Sequence, residues 1–281
     1  MAESLVWRGS PRRSARAVRA LFHAALAAAL AWPGLSRADT SQRSPGTATS
    51  SAAVQTPAPL IPLSAAAGQA LLLQPNTLRG DYAPLAQWFE TQSNLAYCGV
   101  ASSVMVLNSL ALPAPAAAGY GAYRFWTQTN LFAAAASTRF VQPERVARQG
   151  MDLEQLDGLL SSQGLRVQRF YGDGLSLAQF RLLLRRNLAD PSDRILANYD
   201  RRALGQTGGG HISPLAAYDP RSDRVLILDV ARYRYPAVWV AGPDLWRAVR
   251  SLDSSSGRSR GLLLIQPSPP PPETAPPPGP S

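Results

Sequence analysis

The apolar pattern of this chain changes period near residue 190, and that change limits the folds open to it. Upstream, apolar residues recur at helical spacing. Pro84 to Glu90 reads as a short helix and Cys98 to Leu110 as a longer, largely apolar one that a folded chain would bury. Asp152 to Gln163 sets Leu153, Leu156, Leu159 and Leu160 on one face and ends at Gly164, a residue suited to a helix C-cap. Ser176 has the chemistry of an N-cap for a helix carrying Leu177, Phe180, Leu184 and Leu188, with Pro191 just beyond it. Downstream, Arg194 to Tyr199, His211 to Tyr218, Val225 to Val230 and Gly261 to Ile265 are short apolar or alternating runs that predict strands. Asp219-Pro220-Arg221-Ser222-Asp223 supplies a turn between the second and third, making them an antiparallel hairpin. Helices followed by strands predict an α+β fold rather than a doubly wound sheet.

The ends have a different composition. Residues 1–38 have the parts of a secretory signal: Arg8, Arg12, Arg13, Arg16 and Arg19, then an apolar run from Leu21 to Trp32, then Ser36-Arg37-Ala38 as a small-x-small cleavage site. The apolar run is shorter than the roughly 20 residues a stable membrane span needs. A cleaved signal peptide, no stable membrane anchor and a periplasmic or secreted address are therefore expected. Residues 39–66 are dominated by Ser, Thr, Ala, Pro and Gln and predict a disordered linker. Residues 266–281 hold nine prolines and predict a disordered, solvated polyproline tail. That leaves 67–265 as one globular domain, with no internal repeat.

All 28 cationic residues are arginine, and the formal net charge is +10. Six of those arginines and one acid fall in residues 1–38, and the rest of the charge is spread along the chain. A diffuse basic surface of this kind does not predict a nucleic-acid partner. A single cysteine excludes an intramolecular disulfide framework and a cysteine-built metal site.

Of the two histidines, His23 falls within the expected signal. The mature chain would keep one thiol, Cys98, and one imidazole, His211, with Asp229 downstream as a carboxylate. Cys98 opens a predicted helix, where unpaired backbone N–H groups and the helix dipole favour a thiolate. A neighbouring imidazolium would do the same. His211 would then act as base and later acid, with Asp229 orienting the ring from the adjacent strand. Gln92, six residues before Cys98, suits an oxyanion hole made with the Cys98 backbone N–H. Gly99 reads as a residue that lets substrate or backbone approach the sulfur. The glycines before His211 read either as a backbone passing close to substrate or as a loose turn. Each residue alone is also compatible with a structural part: core filler, a strand histidine, a turn former.

Gln92-Ser93-Asn94-Leu95-Ala96-Tyr97-Cys98-Gly99-Val100-Ala101-Ser102 resembles the nucleophile segment of phytochelatin synthases. Gln206 to Pro214 is similar to their histidine segment, and Leu228 to Val240 to their aspartate segment. The resemblance implies a papain-like fold, with a helical half carrying the nucleophile packed on an antiparallel sheet carrying His and Asp. It implies a glutathione γ-glutamylcysteinyltransferase that releases glycine from glutathione through a thioester on Cys98, then passes the acyl group to water or to a second glutathione. A heavy metal such as Cd or Zn would take part as the glutathione thiolate complex, with no cofactor or metal bound by protein side chains. Tyr97, Gly210 and Arg232 are the substrate contacts it suggests, with Arg232 equally readable as a rim ion-pair residue. The chain resembles the short prokaryotic form, in which hydrolysis tends to dominate, and lacks the cysteine-rich region of plant-type members. A homodimer is a further association expected. The alternatives are another papain-clan peptidase that trims leader peptides, and a non-catalytic module binding metal–glutathione complexes.

Overall fold

The computed structural model describes residues 57–133 and 137–268. The expected signal peptide, most of the expected linker and residues 269–281 lie outside the described residues. In chain order the elements are β1 (Ile61–Pro62), α1 (Ala66–Leu73), α2 (Tyr82–Gln87), α3 (Cys98–Ser109), α4 (Pro143–Gln149), α5 (Leu153–Ser161), β2 (Leu165–Tyr171) and α6 (Leu177–Asn187). There follow β3 (Arg194–Asp200), β4 (Gly210–Asp219), β5 (Arg224–Ile227), β6 (Val238–Ala241), α7 (Gly242–Arg250), β7 (Leu252–Asp253), β8 (Arg258–Ser259) and β9 (Gly261–Pro267).

Seven strands form one sheet in the order β1-β6-β5-β4-β3-β9-β2, every neighbour antiparallel. Both faces are covered. Alternation along β3 and β9 sends Leu196, Leu263 and Ile265 into a core shared with Val100, Val104 and Leu107 of α3 and Leu156 and Leu159 of α5. Ile195, Ala197 and Leu262 face the other way, onto Phe180 and Leu184 of α6 and Leu245, Ala248 and Val249 of α7. All seven residues of β3 are buried in consequence. The α+β class expected from the sequence is the one found, a helical half on an antiparallel sheet.

Local chemistry sets the helix starts. Asp152 and Ser176 each accept from the backbone N–H three residues on, and Gln155 and Gln179 reach back, so α5 and α6 both open with a capping box. Helix α3 is unusual in being buried on every side: Gly99 through Leu107 are all inside. Its hydroxyls are satisfied by backbone carbonyls, Ser103 Oγ donating to Gly99 O within the helix at 2.8 Å and Ser102 Oγ to Ile212 O of β4 at 3.2 Å. Its far end is held by buried Arg194, which donates to Ser109 Oγ and Ser109 O, both at 2.9 Å, and to Asp81 at 3.1 Å.

Several expectations need correction. The ordered body begins before residue 67: Ile61 and Pro62 pair with Trp239 and Val238, and Leu63 packs with Ile61 on the Trp239 core. Two apolar side chains and an unpaired edge of β6 outweighed the linker-like composition around them. At the other end β9 runs two residues past Ile265, with Gln266 and Pro267 paired to Arg166 and Leu165. The strand expected over 225–230 stops at Ile227, because β4 carries a bulge between Leu215 and Ala217 that shifts the pairing. The helix expected over residues 84–90 is α2, which covers Tyr82–Gln87. Strands β1, β2, β6, β7 and β8 and helices α1, α4 and α7 were not expected.

Candidate active site

Cys98 is the first residue of α3 and half-buried in the wall of a cleft of about 310 Å³. His211 is the second residue of β4, buried, and paired across the ladder with Tyr199 of β3. Its Nε2–H donates to Asp229 Oδ1 at 2.9 Å. That leaves Nδ1 as the ring nitrogen free to serve the Cys98 thiol, and the two side chains interact closely enough for each to shift the other's ionisation. Asp229 is wholly buried on the segment leaving β5. The three residues singled out in the sequence therefore come together, the imidazole interacting with both the thiol and the carboxylate.

Electrostatics fit that arrangement. Burial alone would push the Cys98 thiol up, but the hydrogen bond and charge of His211, with the Ile212 and Gly99 backbone, hold it below the ordinary thiol value. Burial alone would lower His211, yet Asp229 and Cys98 together raise it above the ordinary imidazole value. Burial also works against ionised Asp229, and hydrogen bonds from His211 and Arg201 override it, leaving the carboxyl well below its usual range. These shifts favour a thiolate–imidazolium pair.

Arg201, just after β3, was missed from the sequence. Its Nη1 donates to Asp229 Oδ2 at 2.7 Å and its Nη2 to Oδ1 at 2.8 Å, a two-pronged pair in which both side chains are buried. Ala231 N–H adds a bond to Oδ1 at 2.9 Å. The Arg201 guanidinium lies over the Tyr235 ring, 4.7 Å from its centre.

Beyond the sulfur, the cleft is lined by Gly210, Asn198, Asp253 and Arg260, with Leu95, Ala96 and Arg148–Met151 along another side. Arg260 is buried; its Nη1 donates to Asn198 Oδ1 at 2.8 Å and to Asp253 Oδ2 at 3.1 Å. Its Nε is buried with no partner among the described residues. Burial alone would raise Asp253, but hydrogen bonds from Ser255 and the Arg260 charge bring it below the ordinary carboxylate value. This cation–carboxylate pair was also missed from the sequence.

The other predicted residues are placed differently. Gly210 lines the cleft, and a Cβ there would overlap the Arg260 guanidinium, so the glycine makes room for a side chain of the protein itself. Gly99 has the same kind of reason: a Cβ would sit 2.7 Å from Met151 Cε and 3.3 Å from Ile212 Cδ1, which makes it a packing residue of α3. Gln92 is buried and tied by its N–H to Val230 O at 3.0 Å, beside the Asp229 segment. Its side-chain amide donates to Asn94 O at 2.8 Å, and its Oε1 has no partner among the described residues. Tyr97 and Arg232, expected at the substrate, do not line the cleft. Tyr97 packs towards Phe132, ring centres 6.2 Å apart, because the residue before α3 points into the helical core. Arg232 is exposed, donates to Phe89 O at 3.1 Å and lies over the Phe89 ring. Among the described residues no group of three His, Cys, Asp or Glu side chains could hold a metal ion. Among them, too, no helix is long and apolar enough to cross a membrane.

A thiol opening a buried helix, an imidazole on the facing sheet and a carboxylate behind it define a papain-type thiol site. The family model for phytochelatin synthase matches residues 51–262, and the chain belongs to that family. It is 36% identical over 194 residues to glutathione gamma-glutamylcysteinyltransferase 2 of Arabidopsis thaliana, covering 69% of this chain and 41% of that protein. It is 31% identical over 188 residues to the Schizosaccharomyces pombe glutathione gamma-glutamylcysteinyltransferase, covering 66% of this chain and 44% of the relative. The chain thus spans about two fifths of the length of these curated relatives. Among solved structures, the peptidase domain of Streptococcus ComA, a bi-functional ABC transporter, is matched over 64% of this chain and 97% of that one. At a TM-score of 0.37 and 12% identity, that likeness is too distant to bear on function.

Proposed function

We propose that the protein removes glycine from glutathione by forming a γ-glutamylcysteinyl thioester on Cys98, and transfers the acyl group to water or to a second glutathione. The observation that carries this is the Cys98–His211–Asp229 group opening onto a cleft that also holds the buried Arg260–Asp253 pair. The γ-glutamyl end of glutathione bears a carboxylate and an ammonium on one carbon. A guanidinium beside a carboxylate complements both.

In the first half-reaction the thiolate attacks the carbonyl carbon of the cysteinyl–glycine bond. The resulting oxyanion is met by the Cys98 backbone N–H and by the amide of Gln92, once that amide turns from Asn94 O. His211 gives its Nδ1 proton to the glycine nitrogen, the C–N bond breaks and glycine leaves. In the second, water or the amino group of another glutathione attacks the thioester, His211 takes its proton, and the thiolate is expelled. A heavy-metal ion enters as substrate, as the thiolate complex of the accepting glutathione.

The test is glycine release from glutathione followed by mass spectrometry, with Cys98→Ala beside the unaltered chain. Release that disappears in the variant supports the transferase. Equal, negligible release from both, with glutathione still bound, favours a binding module instead. Products longer than glutathione, sought with and without Cd²⁺, separate transfer from hydrolysis. Export by a cleaved signal and assembly as a homodimer belong to the same proposal, and are read by cell fractionation and light scattering.

A further inference from the structure

Asp229 is saturated with donors. Its Oδ1 takes His211 Nε2–H, Arg201 Nη2–H and Ala231 N–H, at 2.9, 2.8 and 2.9 Å. Its Oδ2 takes Arg201 Nη1–H at 2.7 Å, with the Tyr199 hydroxyl at 3.5 Å. Arg201 has no other carboxylate partner among the described residues; Nη1 also reaches Gln206 Oε1 at 2.8 Å, and its face rests on Tyr235. The charged and titratable groups around the pair are Cys98 from α3, Tyr199 from β3, His211 from β4, and Tyr235 with Arg234 from the loop before β6. None of these is a second carboxylate.

We propose that Arg201 is a positioning residue that cancels the charge of Asp229, so that His211 is oriented by a hydrogen-bond acceptor with little net charge behind it. A lone buried carboxylate would strongly favour the imidazolium. That is useful while the thiolate waits, but it hinders the step in which His211 must give its proton to the departing nitrogen, because a general acid works best with its pKa near the operating pH. The two-pronged guanidinium fixes the carboxylate plane and cancels its charge at once, which a lysine cannot do in the same geometry.

This inference rests on the thiol-transfer chemistry proposed above, and its main readout needs no glutathione, so the two can fail separately. The chain contains two histidines, so removing one with His23→Gln leaves a single imidazole to titrate by NMR in histidine-labelled full-length protein. Arg201→Met should raise the His211 pKa by about one unit or more, a tenfold or greater change in its proton affinity. Glycine release at neutral pH should fall more than tenfold, and its alkaline limb should move upward. Asp229→Asn alone leaves a buried guanidinium unpaired and should be less active than Arg201→Met. The double variant Arg201→Met/Asp229→Asn contains neither unpaired charge. It should fold even if Arg201→Met does not, return the His211 titration towards the native value and recover at least tenfold over Asp229→Asn. An unchanged His211 titration in Arg201→Met, or a double variant no better than Asp229→Asn, would overturn the proposal.

Discussion

Gly210→Ala tests what the glycine before the histidine is for. The added Cβ would overlap the Nη1, Cζ and Nη2 atoms of Arg260, the far end of a flexible side chain, so the guanidinium moves and the backbone does not. The cost is therefore what Arg260 leaves behind: its bonds to Asn198 Oδ1 at 2.8 Å and Asp253 Oδ2 at 3.1 Å, and the cation it presents to the cleft. A hydrogen bond to a charged group contributes about 1.5–3 kcal/mol. Losing the Arg260 contact to the γ-glutamyl carboxylate should then lower kcat/KM for glycine release by about 10- to 160-fold, at 1.36 kcal/mol per tenfold. The assay is steady-state glycine release, with the pH profile of iodoacetamide alkylation of Cys98 as the control for the neighbouring His211. That profile should be unchanged. In an Arg260→Ala background the same glycine substitution should add nothing, since its target is gone. If Gly210→Ala alone retains kcat/KM within threefold, or if it costs as much without Arg260 as with it, the glycine is there for substrate and not for the arginine.

Alkylation of Cys98 should proceed well below the ordinary thiol pKa of about 8.5, and His211→Ala should return it to that region. A native profile already centred near 8.5 would refute the ion pair. Gly99→Ala forces its Cβ against Met151 Cε and should destabilise the fold by about 1–3 kcal/mol in denaturant titration, with Met151→Ala in the same chain restoring part of the loss. No change in unfolding midpoint would show that the contact yields freely. Asp81 is raised mainly by burial to about 8, from the ordinary carboxylate value of 3.8, so folding takes up a proton between those limits. Its contribution is full below about 4 and is lost as pH rises towards 8, and Asp193, raised to about 6, acts in the same direction. Asp81 also lies 3.1 Å from Arg194, a geometry that would suit an ionised pair; its second oxygen has no partner among the described residues, which favours the protonated acid near neutrality. Asp81→Asn should therefore cost little at pH 7 and flatten the decline in urea midpoint between pH 5 and 8. A loss of several kcal/mol at pH 7 would mean that the ion pair is the native state.

What the sequence made legible were features with a period or a motif. Helices α5 and α6 could be read because an apolar stripe runs along each, with Gly164 marking the end of one and Ser176 the start of the other. The catalytic residues were legible for the opposite reason, scarcity: with one cysteine and one histidine outside the first 38 residues, the candidates were forced. Helix α7 announces itself with Pro243 and Asp244 ahead of Leu245, Ala248 and Val249, and was overlooked because it interrupts a run of strands. Strand β2 alternates Leu165 and Val167 with Arg166 and Gln168, but nothing local says that it joins β9 nearly a hundred residues away. Arginine's burial is set by where its partners arrive, which is why Arg201, Arg260 and Arg194 were invisible among 28 arginines.

One of those arginines could have been found by register. Given β3 and β4 as an antiparallel pair with Tyr199 opposite His211, the residues just past Asp200 must turn beside the histidine end of β4. Arg201 and Arg202 are the side chains available there, and they divide by environment. Arg202 is exposed and pairs with Asp200 at 2.8 Å, an arrangement of small energetic consequence in water. Arg201 turns inward to Asp229, where neither charge has water to fall back on, and removing either partner alone strands the other. Two adjacent arginines, each paired with an aspartate at under 3 Å, should thus give opposite results on truncation: Arg202→Ala near neutral in both stability and rate, Arg201→Ala severe in both. If the two variants proved equally mild, burial of the Asp229 pair could not be what aligns the imidazole.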